Sequence, residues 1–282
     1  MRPPVLVRIT IATIAAAALL RAQPVLTQIA QFDVPEAGQG VAVDAQFFYA
    51  VDNTTIAKYD KKTGARLKVW AQDQGGPLIH LDGAMVMDGK IYAPHSNYPA
   101  WPMVSSLEIF DARTLDHVGS HSFGIAWGSL TWADYRDGFW WMVFANYDQP
   151  LGPDGSKYGN KLNTQLIKFT TAFQMVEAWT LPRSLLDKFD VMSNSGGSWG
   201  PDGFLYLTGH DLGELYKMRL PAAGSVLELV ATIPMNVRGQ GIAWDRSNPG
   251  VVYGVIRATA DERGRGIPNK VVAFRLHEDA AK

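Results

Sequence analysis

The sequence predicts an all-β fold, a five-bladed β-propeller whose ring is closed by the N-terminal strand pairing in the last blade. Short runs of β-branched and aromatic residues alternate with turn-forming residues along most of the 282-residue chain, a pattern typical of antiparallel strands. The runs fall into five units that start about 40–65 residues apart, and such repetition is typical of propellers. The fifth unit lacks one strand, and a spare strand precedes the first unit. A sandwich of two sheets is the alternative architecture.

The first unit, Gln39–Trp70, shows the strand pattern most clearly. Its four predicted strands are Gly40–Val43, Phe47–Val51, Ile56–Tyr59 and Arg66–Trp70. Turn-forming residues separate these runs, and the longest turn is Asp60–Gly64. Runs of this length with such punctuation predict an antiparallel meander, which is one blade of a propeller.

The later units repeat this pattern with longer insertions. They begin near His80, Gly128, Ser195 and Gly239, and the second has predicted strands at Ala84–Met87, Lys90–Pro94, Ser106–Phe110 and His117–Ser122. Ser184–Met192 is predicted to be a short helix, and Asp261–Lys270 is expected to be a basic loop. Because the fifth unit supplies three strands, Thr27–Val34 is expected to pair with Val271–Leu276 and close the ring.

The first 22 residues have the layout of a secretory signal peptide. Two arginines precede an apolar stretch, Ile9–Leu20, and the small residue Ala22 follows it. A retained membrane anchor is the alternative, but this stretch is short against the roughly 20 residues that a span requires. We therefore expect residues 23–282 to form a single propeller domain that is secreted or periplasmic and has no membrane contact after cleavage.

The composition narrows the classes of partner. The formal net charge is −1, and a chain without a positive field is not expected to bind nucleic acid. Cysteine is absent from the sequence, so an exported domain must be stabilised by packing and ring closure rather than by disulfides. The expected partner is a small-molecule or peptide substrate, and the chain is expected to be a monomer.

The repeat also predicts where functional residues gather. In a propeller, the turn that enters each innermost strand and the loop that leaves the second strand open on the same face of the ring. Residues at these positions should surround one mouth of the central channel. The candidate catalytic residues are His80, Asp82, His95 and His210, and the candidate substrate-binding residues are Gln39, Asn97, Tyr98, Asn146, Ser198, Gln240 and Arg257.

Three interpretations of the histidines remain open. His80, His95 and His210 could be hydrogen-bonded residues that tie neighbouring blades together. They could instead bind a divalent metal ion, although the sequence has no HExxH motif or comparable spacing. The third interpretation is metal-free acid–base chemistry, for which imidazole is suited near neutral pH.

Several turns carry a family resemblance. Gln39-Gly40 forms a Q-G turn after a strand, and Asp60–Gly64 fits a D-x-x-T-G hairpin at the end of the first blade. Asp82-Gly83 corresponds to an acidic residue before glycine, and Trp127–Thr131 partly matches a W-G-L-T turn. With these features the chain resembles the five-bladed glutaminyl-peptide cyclotransferases, and it is similar to secreted bacterial and fungal proteins labelled cycloisomerases. The resemblance implies a five-bladed propeller and a cyclase-type reaction.

Two functions from different classes follow. The first is an exported propeller enzyme that acts on a small molecule or a peptide end at the channel mouth, by acid–base or metal-assisted chemistry of the cyclase, lyase or lactonase type. The second is a non-catalytic propeller that binds a ligand or a protein. An enzyme requires at least two titratable groups converging on a narrow polar pocket, whereas a binding module can present an open aromatic or flat face.

Overall fold

A computed structural model describes residues 24–277. The predicted signal peptide and the segment after His277 lie outside the described residues. The chain forms five four-stranded antiparallel sheets, which are the blades of a five-bladed β-propeller. The predicted fold is therefore confirmed, and the two-sheet sandwich is excluded. No helix within residues 24–277 is long and apolar enough to cross a membrane.

The blades follow one another along the chain, with the innermost strand of each blade first. Blade 1 contains β2 (Gly40–Val43), β3 (Phe47–Asp52), β4 (Thr55–Asp60) and β5 (Arg66–Ala71). Blade 2 contains β6 (Met85–Met87), β7 (Lys90–Ser96), β8 (Ser105–Asp111) and β9 (His117–Gly124). Blade 3 contains β10 (Ser129–Arg136), β11 (Phe139–Ala145), β12 (Gln165–Phe169) and β13 (Met175–Thr180). Blade 4 contains β14 (Gly196–Trp199), β15 (Leu205–Thr208), β16 (Glu214–Arg219) and β17 (Glu228–Pro234).

Blade 5 closes the ring with strands from both ends of the described chain. It contains β18 (Ala243–Trp244), β19 (Val251–Ile256), β20 (Lys270–His277) and β1 (Val25–Asp33), in that order. The register between β1 and β20 runs from Val25 opposite His277 to Asp33 opposite Lys270. The pairing predicted from the missing strand of the fifth unit is confirmed.

Apolar side chains are buried between neighbouring blades rather than in one central core. Phe48 of blade 1 stacks on Tyr59 with ring centroids 5.0 Å apart, and the same cluster includes Tyr253 of blade 5. Trp141 of blade 3 and Leu207 of blade 4 belong to another cluster. This burial follows from the alternation of each strand, because both faces of an inner blade strand meet a neighbour.

The helices are short and lie between or after blade strands. α1 (Arg183–Leu186) and a 3₁₀ turn, Asp187–Phe189, occupy most of the segment where one helix is predicted. α2 (Ala260–Gly264) lies at the start of the expected basic loop, so that expectation was partly wrong. Thr259 and Glu262 form a capping box that stabilises the first turn of α2, a T-x-x-E signature present in the sequence.

Glycines allow the innermost strands to approach one another near the channel axis. A Cβ atom on Gly40 would lie 2.9 Å from the Cα atom of Gly83, and one on Gly241 would lie 2.9 Å from the Cα atom of Gly40. Both distances are too short for any side chain. Blades 1, 2 and 5 therefore meet closely at this level, just below the turns that carry Gln39, Asp82 and Gln240.

Candidate active site

The central channel opens at one end into a cavity of about 290 Å³. We call this end the mouth. All five blades contribute to the lining of the cavity, which consists of Gln39, Asn53, Ile79, His80, Asp82, Tyr98, Pro99, Tyr147, Met192, Ser195, His210, Gln240 and Arg257. The cavity thus combines a polar floor with aromatic side chains.

Asp82 is the most buried ionisable group of the cavity. Its side chain is 5% exposed, and its Oδ2 atom has no hydrogen-bond partner within the described part of the chain. Burial raises the pKa of Asp82 well above its usual range, an effect that the nearby positive charge of Arg257 partly opposes. The carboxyl group is therefore held in its neutral, protonated form toward higher pH than an exposed aspartate.

His80 lies beside this carboxyl group. Burial first, and then the positive charges of His95, His210 and Arg257, lower the pKa of His80 to about 4. The Nε2 atom of His80 is 3.6 Å from Oδ2 of Asp82, which is longer than a hydrogen bond. Near neutral pH the imidazole is therefore uncharged, and it lies next to a carboxyl group whose pKa burial raises, so burial disfavours an ion pair between them.

Arg257 and His210 form another wall of the cavity. Arg257 Nη2 donates to Asp211 Oδ1 at 3.2 Å and lies 3.5 Å from His210 Nε2. His210 Nδ1 is 2.6 Å from Asp211 Oδ2. Burial lowers the pKa of His210, although the hydrogen bond to Asp211 opposes this effect. This imidazole is therefore also uncharged near neutral pH.

Three amide side chains continue this wall toward blade 1. The amide of Gln240 is oriented so that both of its ends form hydrogen bonds. Its oxygen accepts from the two Nη atoms of Arg257 at 2.9 and 3.2 Å, and its nitrogen donates to Gln39 Oε1 at 3.3 Å. Gln39 Nε2 in turn donates to Asn53 Oδ1 at 2.8 Å. The chain of amides fixes the plane of the guanidinium group.

Aromatic side chains form the outer rim. The Tyr98 ring lies 5.1 Å from the His80 ring and 5.7 Å from the Tyr147 ring, measured between centroids. The Tyr98 hydroxyl donates to Gln149 Oε1 at 2.8 Å. Burial raises the pKa of the Tyr147 hydroxyl well above its usual range, so this group stays protonated. These rings limit the access of water to His80.

Seven of the predicted site residues line the cavity: Gln39, His80, Asp82, Tyr98, His210, Gln240 and Arg257. His95 and Asn97 lie close to the mouth, at the end of the second strand of blade 2, but their side chains form hydrogen bonds with other protein groups instead of lining the cavity. His95 Nε2 accepts from the main-chain nitrogen of Ile79 at 3.2 Å, and its Nδ1 is 3.0 Å from Ser106 Oγ. His95 thus positions the segment that carries His80.

Asn97, Asn146 and Ser198 also do not line the cavity. Asn97 donates to the carbonyl oxygen of Pro102 at 2.8 Å and accepts from the main-chain nitrogen of Val104 at 2.9 Å, which closes its own loop. Asn146 donates to the carbonyl oxygen of Trp127 at 3.0 Å and borders a neighbouring cavity. Ser198 lies deeper along the channel, where its hydroxyl donates to Asp134 at 3.0 Å.

Sequence reasoning missed Ser195 and left Tyr147 outside the candidate set. Ser195 precedes β14 and lines the cavity, whereas the predicted Ser198 lies three residues further along the strand. Tyr147 follows Asn146 directly, but both residues lie beyond the end of β11 at Ala145, where the period-two alternation of a strand does not apply.

The three histidines do not assemble a metal site. Within residues 24–277, no group of three or more His, Cys, Asp or Glu side chains is arranged to hold a metal ion. Both ring nitrogens of His95 already have partners, Ile79 and Ser106. The residues at the mouth therefore do not fit the divalent metal centre that the histidine count suggests, and we derive no step through a metal.

Comparisons with known proteins identify the fold. No protein-family model and no curated protein matches the chain. Among solved structures, the chain is similar to the glutaminyl cyclase of Myxococcus xanthus, with a TM-score of 0.59 and 11% identity over 92% of this chain and 100% of that one. The resemblance to the glutaminyl cyclase group is thus confirmed as a likeness of fold.

Two other enzymes have a similar structure. One is a luciferin-regenerating enzyme, with a TM-score of 0.54 and 12% identity over 90% of this chain and 95% of that one. The other is the PQQ-bound aldose sugar dehydrogenase of Streptomyces coelicolor, with a TM-score of 0.55 and 12% identity over 91% and 99%. At such identities the similarity shows the fold and does not select a reaction.

The buried carboxyl group predicts an unusual pH dependence of stability. Above the unfolded pKa of 3.8 the unfolded chain ionises Asp82 while the folded protein keeps its proton, so this residue makes the folded state less stable as pH rises. The Asp82→Asn variant lacks this term. We expect its melting temperature, relative to that of the original protein, to increase between pH 4 and pH 8.

His80 has the opposite effect on stability but does not disturb this comparison. Between pH 6.5 and about 4 the unfolded chain protonates His80 before the folded protein does, so stability falls as pH is lowered. This effect of His80 is present in the original protein and in Asp82→Asn, so it cancels when their melting temperatures are subtracted. The exposed Asp137→Asn variant serves as control and should show no trend. A difference that decreases with pH would contradict the neutral state of Asp82.

Proposed function

We propose that the mouth is the active site of an exported enzyme that acts on a small molecule or a peptide end by general acid–base chemistry, with a reaction of the cyclase, lyase or lactonase type. The observation that carries this proposal is the buried, unpartnered Oδ2 atom of Asp82, 3.6 Å from His80 Nε2 at the wall of the cavity. A buried polar group without a partner costs stability, so its presence in a pocket points to a role with a ligand.

The pair can move one proton in each direction during a turnover. His80 takes a proton either from the attacking nucleophile or from the carbon atom whose C–H bond breaks. Asp82 gives a proton to the leaving group or to a carbonyl oxygen. The carboxylate left on Asp82 raises the pKa of the adjacent imidazole, which favours proton uptake by His80. Return of the proton from His80 to Asp82 restores the starting state.

The proton balance suits reactions that need no co-reactant other than water. In a cyclisation, an internal nucleophile loses its proton to His80 as a new bond forms, and the leaving group takes the proton of Asp82. In an elimination, a C–H bond breaks at His80 and the leaving group again takes the proton of Asp82. In a lactone hydrolysis, water is the group that His80 deprotonates. Solved enzymes of similar fold support an enzyme in general but do not choose among these reactions.

The test combines a substrate screen with two variants. Peptides with N-terminal glutamine, lactones and hydroxy acids are screened for turnover, and the best substrate is then used with Asp82→Asn and His80→Gln. We expect each variant to lower kcat/KM by about 10²–10⁴-fold while remaining folded at the assay temperature. The exposed Asp137→Asn variant should retain full activity.

Other results would contradict the proposal. Full turnover by Asp82→Asn would remove the acid–base role. Loss of folding in both variants without any turnover by the original protein would instead identify the pair as structural. Ligand binding without turnover, retained in both variants, would favour the non-catalytic binding propeller.

A further inference from the structure

The cavity has an unbalanced charge. Six of its lining side chains can titrate or carry charge: His80, Asp82, Tyr98, Tyr147, His210 and Arg257. Asp82 and Tyr147 are buried acids that favour their neutral forms, and burial also favours the neutral form of both imidazoles. The guanidinium group is charged at all accessible pH values. Arg257 is therefore the one permanently charged side chain among the described residues that line the cavity.

The acidic partner of Arg257, Asp211, does not neutralise the positive charge in the cavity. Asp211 contacts Arg257 at 3.2 Å, but the Asp211 side chain is 68% exposed whereas that of Arg257 is 26% exposed. An ion pair with one partner in solvent is strongly screened. The positive charge of Arg257 also extends to the buried groups of the cavity, because it contributes to the pKa of both Asp82 and His80.

Arg257 retains capacity for a ligand. Its contacts with Gln240 and Asp211 use one N–H of Nη1 and both N–H groups of Nη2. A guanidinium group has five N–H donors in a fixed plane, so one N–H of Nη1 and that of Nε are not used in these contacts. These two N–H groups lie on different edges of the guanidinium plane, so each can donate one charge-assisted hydrogen bond to a carboxylate oxygen.

The position of Arg257 connects this charge to the reacting groups. Arg257 belongs to blade 5 and the pair His80–Asp82 to blade 2, and both blades adjoin blade 1, which supplies Gln39 and Asn53 between them. The cavity of about 290 Å³ corresponds to roughly ten water-sized volumes. Arg257 and Asp82 line this same cavity, so its volume suits a ligand of about this many non-hydrogen atoms.

We propose that the substrate of this site is a small carboxylic acid, whose carboxylate pairs with Arg257 while its reacting atoms lie against Asp82 and His80 on the cavity side. The inference rests on the proposed function and adds the substrate class. Arg257 is a substrate-binding residue in this scheme. Gln240 is a positioning residue, because its amide oxygen holds the guanidinium group in place.

The experiment uses a matched pair of probes with the full protein. The first probe is 5-oxotetrahydrofuran-2-carboxylate, a small lactone acid, and the second is its uncharged methyl ester. Binding is measured by calorimetry and by the shift in melting temperature at concentrations on the order of 10 mM. We expect the acid to bind about 10- to 100-fold more tightly than the ester, as one charge-assisted contact provides.

Variants test whether Arg257 is responsible for the preference for the acid over the ester. Arg257→Gln should reduce the affinity for the acid to that for the ester and leave the ester unchanged, and Arg257→Lys should recover part of the loss. The exposed Arg66→Gln variant, outside the cavity, should bind both probes as the original protein does. Equal binding of acid and ester, unchanged binding in Arg257→Gln, or no acid-dependent shift at all would overturn the proposal.

The Asp82→Asn variant separates this inference from the proposed function. If it binds the acid but has lost turnover, both are supported. If it binds the acid and retains full turnover, the acid–base function fails while the carboxylate inference stands. If turnover depends on Asp82 but equally active substrates lack a carboxylate, the carboxylate inference fails and the function stands.

Discussion

A chain that begins at Val34, and therefore lacks β1, should fail to form the native ring. β1 pairs with β20 through eight registered residue pairs, from Val25–His277 to Asp33–Lys270. It also contributes Phe32, whose ring lies 5.2 Å from that of Phe48 in blade 1. An antiparallel ladder averages about one hydrogen bond per residue pair, and at about 1 kcal/mol each the bonds of this ladder are comparable to the whole free energy of unfolding of an ordinary domain, about 5–15 kcal/mol.

The measurement compares two truncated chains. A chain that begins at Pro24 retains β1 and should show a cooperative thermal transition and a monomer-sized elution volume. The chain that begins at Val34 should expose the edge of β20 and aggregate or melt without cooperativity. Addition of a peptide corresponding to Val25–Asp33 should restore part of the transition. If the chain that begins at Val34 melts within a few degrees of the chain that begins at Pro24, the ring does not need β1 as the fourth strand of blade 5.

The fold was accessible from sequence because its determinants are local. The run Phe47–Val51 predicted a strand that the structure places at Phe47–Asp52, since alternation and turn residues act within one hairpin. Counting strands in each unit then identified Thr27–Val34 as the closing strand, which is β1, Val25–Asp33. α2 was missed because its capping box was not weighed against the polar composition of its loop.

The site was accessible only in part, for a physical reason. Position within a blade brought His80, His210 and Arg257 to one cavity, because the same turns of different blades open on one face. It did not decide the direction of individual side chains. Asn146 and Tyr147 are consecutive residues just beyond the end of β11, outside the regular alternation of a strand, and only Tyr147 lines the cavity.

Competing partners account for the other misplaced residues. His95 is on the correct segment, but its ring nitrogens contact Ser106 and the main chain of Ile79. Such pairings depend on tertiary contacts and leave no pattern in the sequence. The separation of catalytic candidates from structural ties therefore required the coordinates.

Ser198 belongs to a cluster of hydrogen-bonded side chains below the mouth, together with Asp134 and Arg246. The buried carboxylate of Asp134 accepts from Ser198 Oγ at 3.0 Å and from the main-chain nitrogens of Trp199 and Tyr135 at 2.8 and 2.7 Å. It also pairs with Arg246. These contacts link the innermost strands of blades 3 and 4 with the segment that follows β18 of blade 5.

Asp134→Ala should be strongly destabilising, while Arg246→Gln should not. Replacement of Asp134 leaves two main-chain N–H groups without their acceptor, and these donors cannot rotate away toward solvent. At about 1–3 kcal/mol for each orphaned group, we expect the free energy of unfolding to fall by about 2–6 kcal/mol. The Arg246 side chain is 51% exposed, so its ion pair is screened and its loss should cost at most about 1 kcal/mol.

Thermal unfolding of both variants measures the difference, with the exposed Asp187→Ala variant as a matched control. For a domain of this size the loss in Asp134→Ala corresponds to roughly 4–24 °C in melting temperature, and the free energy of unfolding of the control should change by less than about 0.5 kcal/mol. A larger effect of Arg246→Gln than of Asp134→Ala would mean that the ion pair, rather than the main-chain donors, joins the blades. In the folded fraction, binding of ligands at the mouth should persist, because Asp134 does not line that cavity.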